Sequence, residues 1–238
     1  QVPYNQPELI GTYKFDFNVN DKWRTWVRYT RDNFTQDNPY GMGGSFPNLG
    51  TNRTTRHAMG LAIGITTVLT PTLTNEAILG GSRNLIPQEP TDLNYTRTKL
   101  GLTYQNLYPD AAQADIGPNV SFGGGYIQNS PSMGNGIPYY ANNTNFSFTD
   151  NVAKVWPRHT MKLGVSIERD RKDQTSGNPL GNISFGQDNN NPLDSGHAFS
   201  NALLGVYDTY SQLDKQRFGR YYFTNAEFYI EDTWKVSR

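Results

Sequence analysis

Apolar and polar residues alternate with period two through several stretches of the chain. Over residues 11–20, Tyr13, Phe15, Phe17 and Val19 alternate with Lys14, Asp16 and Asn18. This pattern predicts a strand with one apolar and one polar face. Asp21 and Lys22 form a short turn, and residues 23–31 alternate again. Trp23, Thr25, Val27 and Tyr29 share one face, while Arg24, Trp26, Arg28 and Thr30 share the other. The two stretches make a hairpin. A second hairpin is expected over 58–69 and 73–83, turning at Pro71 and Thr72, with Ala77 and Leu79 opposite Thr74 and Glu76. A third spans 146–156 and 160–170, turning at Pro157, Arg158 and His159. Its second strand alternates most cleanly, with Met161, Leu163, Val165 and Ile167 opposing Lys162, Gly164, Ser166 and Glu168. The last strands are expected at 206–213 and 222–236. In the latter, Ala226, Phe228, Ile230 and Trp234 oppose Glu227, Tyr229, Glu231 and Thr233.

Between these strands lie residues 32–56, 84–143 and 171–197, rich in Asn, Gly, Pro and Thr, which read as long loops. A short helix is expected near 198–204. About eight strands of roughly ten residues therefore alternate between tight turns and long polar connections. Transmembrane β-barrels have this asymmetry, with short periplasmic turns, long external loops, an apolar outer face and a polar lumen. Trp23, Trp156 and Trp234 fall near the turns, where an interfacial aromatic girdle sits. Lys14, Asp16, Arg24, Arg28, Lys162, Glu168, Glu227 and Glu231 would face a wet interior. The competing reading is a soluble sandwich or barrel with an apolar core, since alternation alone does not say which face meets lipid. Soluble sandwiches space their turns every 8–12 residues or so, and long structureless connections are uncommon in compact soluble domains.

Composition narrows the choice. Basic and acidic residues number 21 each, so the basic excess of a nucleic-acid binder is missing and no nucleic-acid partner is expected. Mean hydropathy is −0.68, yet there are 15 Tyr and 12 Phe. Disordered chains are poor in aromatics, whereas strands with one wet face combine low hydropathy with many rings. Cysteine is absent, which excludes disulfides and thiolate metal sites. No apolar run reaches the length of a spanning helix.

Several strings resemble the barrel of Oar-like TonB-dependent outer-membrane receptors. They cover residues 69–83 (LTPTLTNEAILGGSR), 116–125 (IGPNVSFGGG), 148–174 (FTDNVAKVWPRHTMKLGVSIERDRKDQ), 190–205 and 219–238. The resemblance implies an all-β, antiparallel meander within a barrel of about 22 strands, placed in the bacterial outer membrane. It further implies an N-terminal plug driven by the TonB complex and uptake of a bulky nutrient. Residues 1–238 are then expected to be an internal portion of the barrel, without plug, TonB box or closing C-terminal strand. Strands separated from the rest of a barrel expose unpaired edges. Self-association through those edges, building an extracellular filament, is therefore an alternative, because contacts that do not close propagate. A soluble carbohydrate-binding β-domain is a second alternative. A chain that stays monomeric and soluble without detergent would contradict both the barrel and the filament.

Candidate chemistry is sparse. His57, His159 and His197 lack metal-binding spacing and read as ordinary strand-entry, turn and loop residues. Residues 188–196, with Asp188, Asp194 and Gly196, are oxygen-rich but lack the ligand order of a calcium loop, so they read as a polar loop. Gly41, Gly43 and Gly44, and Gly123 to Gly125, precede no helix start and read as loop flexibility. No GxSxG elbow is present. The sequons at Asn52 and Asn145 are expected by chance. Tyr40, Phe46, Tyr126, Tyr139 and Tyr140 could offer flat contact area to a ligand, with loop self-packing the plainer reading. No catalytic, cofactor or metal residues are expected, no cofactor is called for, and no ligand-binding residues are assigned.

Overall fold

The computed structural model describes residues 6–38, 52–91, 95–111, 115–123, 130, 134, 138–176 and 180–236. In chain order the elements are β1 (Glu8–Asn18), β2 (Trp23–Asn38), β3 (Asn52–Thr70), β4 (Leu73–Pro90), α1 (Arg97–Leu100) and β5 (Asn119–Phe122). They continue with β6 (Tyr139–Val155), β7 (His159–Ser176), β8 (Asn182–Phe185), α2 (Ala198–Leu204), β9 (Thr209–Ser211) and β10 (Arg217–Trp234). Seven long strands form one open antiparallel sheet in the order β1-β2-β3-β4-β6-β7-β10. The remaining three form a small separate sheet, β5-β8-β9.

Local chemistry sets the tight turns. After β1, the Asn20 side chain accepts from the backbone N–H groups of Lys22 and Trp23 at 2.9 and 3.0 Å, an Asx turn of the kind Asn favours. Pro71 and Thr72 reverse the chain between β3 and β4. Between β6 and β7, the Trp156 N–H reaches the His159 carbonyl at 2.7 Å across Pro157 and Arg158. All three turns lie at one end of the sheet, and the strand ends that lead into the three longer connections lie at the other.

Register confirms the two faces. Val27, Ile63, Leu79, Phe148, Ile167 and Ala226 share one cross-strand row on the outward face. The inward face carries all eight of the charges assigned to the lumen. Lys14 and Arg28 are directly paired there, as are Lys162 and Glu231. The outward side chains are not covered by protein: Phe15 is 60% exposed, Phe228 86% and Ile230 69%. Of the buried apolar residues, Tyr95, Leu180, Ile183 and Ala198 sit instead among the long connections, and Ala141 at the start of β6, beyond the apolar band. The large sheet therefore has no protein core, and its apolar face needs lipid to leave water. A polar pair interrupts this face, where Asn75 donates to Asp150 at 2.5 Å.

The strands are longer than the alternation suggested. β3 has 19 residues, about 60 Å at roughly 3.3 Å per residue, against the roughly 9–11 that span a bilayer. Residues 32–38, 52–56, 84–90, 139–143 and 171–176, read as loop, extend the ladders beyond the apolar band. With both faces wet, hydrophobic alternation disappears there while backbone pairing continues. The sheet also has seven strands rather than about eight. Residues 206–213 do not join it; only Thr209–Ser211 is a strand, pairing with β8. The short helix expected at 198–204 is present as α2.

Candidate functional site

The long connections fold onto each other. β5, from the connection after β4, pairs in parallel with β8, from the connection after β7. Two loops far apart in sequence thus build one cap on the long-loop side. Its core is a cluster of rings, with Phe122 stacked 5.7 Å from Phe185 and tilted 4.9 Å from Phe199. Asn201, 1% exposed, fastens α2 by donating to the Gly186 carbonyl at 2.8 Å and to Asp194 at 3.0 Å.

The cap holds a half-open, largely apolar cavity of about 560 Å³, walled by Tyr95, Tyr104, Val120, Phe185, Tyr207 and Tyr210 among others. Tyr104 and Tyr210 meet edge to face at 5.4 Å. The guanidinium of Arg97, only 8% exposed, lies 4.2 Å from the Tyr104 ring centre, a cation–π contact strengthened by burial. Burial raises the Tyr104 and Tyr210 hydroxyls above their ordinary values, with the positive charge of Arg97 working against it. Burial also pushes Tyr95 up to about 12. All three phenols therefore stay neutral donors at physiological pH. Tyr104 Oη and Arg97 Nη1 are buried without a hydrogen-bond partner, and such atoms are where a ligand or an ordered water bonds. A ring-lined cavity with a few polar handles suits a flat amphipathic ligand.

The residues singled out from sequence lie mostly elsewhere. His57 is inside β3 rather than at its entry, its Nδ1 3.2 Å from Asn33 Oδ1. His159 opens β7, 2.8 Å from Asp232 and stacked on Trp234. His197 sits at the N-cap of α2. Among the described residues no group of three or more His, Asp or Glu is arranged to hold a metal ion. Asp194 spends its oxygens on the backbone N–H groups of Asp188 and Gly196 and on Asn201, so it closes its own loop instead of facing an ion. Tyr139 and Tyr140 are not loop residues: they open β6, paired with Gln88 and Pro87 of β4. Asn52 and Asn145 lie in strands, Asn52 2% exposed and Asn145 bonded to Glu168 and Asp170. Gly123 follows β5; Gly124, Gly125, Tyr126, Tyr40, Gly41, Gly43, Gly44 and Phe46 lie outside the described residues. Sequence reasoning missed Arg97, Tyr104 and Tyr210, because loop residues that converge through a parallel strand pair carry no periodic signal.

A wall of long antiparallel strands, apolar outside and charged inside, with tight turns at one end and a folded cap at the other, defines a transmembrane β-barrel segment. The chain belongs to the outer membrane beta barrel domain family, whose model matches residues 2–238, and its place is the bacterial outer membrane. In fold it is similar to the outer membrane transporter YddB from Escherichia coli, with a TM-score of 0.53 at 10% identity. That likeness covers 97% of this chain and 26% of the transporter, so the chain spans about a quarter of that protein's length. No curated protein sequence matches the chain.

Proposed function

We propose that this chain is wall and external cap of a TonB-dependent receptor that takes up a bulky nutrient. The carrying observation is the pairing of a charged inner wall with a cap in which two separate loops fold together around a ring-lined cavity. A passive pore needs a wall but no cavity built at its mouth. The sheet supplies the fixed wall, and Arg97, Tyr104 and Tyr210 supply recognition. The chain performs no bond chemistry in this role.

The test is uptake by cells carrying the complete receptor, using labelled oligosaccharides, peptides and metal chelates. One of these solutes is expected to enter only while the inner membrane is energised and TonB is present. The double substitution Tyr104→Ala and Tyr210→Ala is expected to lower uptake while leaving the protein in the outer membrane. Entry that persists after uncoupling would overturn active transport in favour of a passive pore. Detergent-free filaments of the native protein would favour edge-to-edge assembly instead.

A further inference from the structure

The outward face changes character toward the long-loop end. The row of Val27, Ile63 and Leu79 is apolar, but two rows further on Arg31 lies across from Met59, and Met59 from Arg83. On β7, Arg169 follows Ile167 on the same face and pairs across to Phe146. Between these arginines sits Gly81, directly flanked by Leu61 and Phe146. Lacking a side chain, Gly81 floors a groove of about 570 Å³ bounded by Met59, Leu61, Leu79 and Phe146, with Arg83 at its rim. The four boundary side chains are 48–61% exposed.

The arginines are not balanced by the protein. Arg83 gives its Nε to the neutral Asn142 at 2.9 Å, and Arg169 gives Nη1 to Thr224 at 2.5 Å. Among the described residues, Arg31, Arg83 and Arg169 form no ion pair with a carboxylate. The nearest outward acids are already engaged. Asp173 pairs with Arg171 at 2.6 Å and Arg220 at 4.0 Å, and Asp150, further down the face, is held by Asn75. Asp32, Glu168 and Asp170 point to the opposite face. A cation on the lipid side is costly at the midplane and tolerable near the interface, and there a lipid phosphate can answer it with paired hydrogen bonds. Arg31 and Arg83 stand two strands apart, about 10 Å, a span suited to one headgroup.

We propose that the groove over Gly81 binds one phosphorylated lipid of the outer leaflet, an acyl chain lying in the glycine-floored slot and its phosphate on Arg83, flanked by Arg31 and Arg169. The groove's apolar floor and cationic rim match the two ends of such a molecule, and neither matches a soluble anion alone.

The experiment is native mass spectrometry of the complete protein released from detergent with added diphosphoryl lipid A, its dephosphorylated counterpart, or inorganic pyrophosphate. Retention of the diphosphoryl lipid is expected. The triple substitution R31Q, R83Q and R169Q should weaken it about tenfold, the loss of roughly one charge-assisted bond. Gly81→Leu fills the slot, and a Cβ there comes no nearer than 3.5 Å to Phe146, so the sheet should hold. Heat-modifiable gel migration checks that both variants remain folded. Gly81→Leu is expected to release the lipid. Equal retention of the dephosphorylated lipid, undiminished binding by folded variants, or pyrophosphate binding as tight as the lipid would each overturn the proposal.

Discussion

The indole of Trp26 covers Gly64 on the inward face of the sheet, so closely that a Cβ on Gly64 would overlap the ring. Lys14 and Arg28 lie 5.9 and 5.8 Å from the same ring. The glycine is thus the seat of an aromatic that carries two cations along the lumen wall, an arrangement that repairs the sheet-weakening effect of a strand glycine. Gly64→Ala should displace Trp26 and destabilise the folded protein by about 1–3 kcal/mol. At Gly60, an added Cβ meets nothing closer than 3.8 Å, and Gly60→Ala should be neutral or slightly stabilising. Urea unfolding in bilayers, followed by tryptophan fluorescence, separates the two; equal effects would contradict the assigned role of Trp26.

The two faces should respond oppositely to charge. Ile63 lies mid-band on the outward face, between Val27 and Leu79. Ile63→Arg is expected to cost about 2–4 kcal/mol in a bilayer. Ser147 points inward, paired with Gly80 and Glu168, and Ser147→Arg should change stability little. Folding efficiency into lipid vesicles measures both, and a harmless Ile63→Arg would reverse the assignment of the faces.

The Asp194 turn predicts an acid-sensitive cap. The N–H of Asp188, the side chain of Asn201 and the N–H of Gly196 hold the Asp194 carboxyl below its ordinary value of 3.8. A lowered folded value means the carboxylate contributes fully above 3.8, and that contribution is lost as pH falls through the folded value beneath it. Resonances of Gly196 and Asn201 should therefore shift together in an acid titration starting below about pH 4. Asp194→Asn should abolish this step and loosen the loop at neutral pH.

Tyr95 makes the opposite prediction at high pH. Its Oη donates to the Pro118 carbonyl at 2.8 Å, and burial lifts its ionisation to about 12 from 10.0. The unfolded chain ionises first, so the stabilisation present at neutral pH falls as pH rises from 10 toward 12. Phenolate absorbance should show a late component near pH 12, and Tyr95→Phe should remove it. The substitution leaves the Pro118 carbonyl without its donor, at about 1–3 kcal/mol.

What the sequence disclosed follows from where water and lipid meet the strands. Met161 to Ile167 alternate because one face is apolar and the other wet, and the structure places every one of them as the alternation requires. Above the band that contrast vanishes, so the ends of β2, β3, β4, β6 and β7 read as loop although their ladders continue. The same alternation did carry Arg31, Arg83 and Arg169 on the outward face, each two residues beyond an outward position. The cap was illegible for another reason: Arg97, Tyr104 and Tyr210 come together only through a non-local parallel pair, and no local spacing encodes it.

That pair has a temporal consequence. Asn119 of β5 donates to Asn182 of β8 at 3.2 Å across a separation of 63 residues, and the β6–β7 hairpin lies between them. Forming the β6–β7 hairpin brings the two loops to the same end, because β5 lies just before β6 and β8 just after β7. Loop closure over such a distance precedes any reward from the contacts it makes. The clasp is therefore expected to close after the hairpin it spans, so that a closed cap reports a formed β6–β7 pair beneath it.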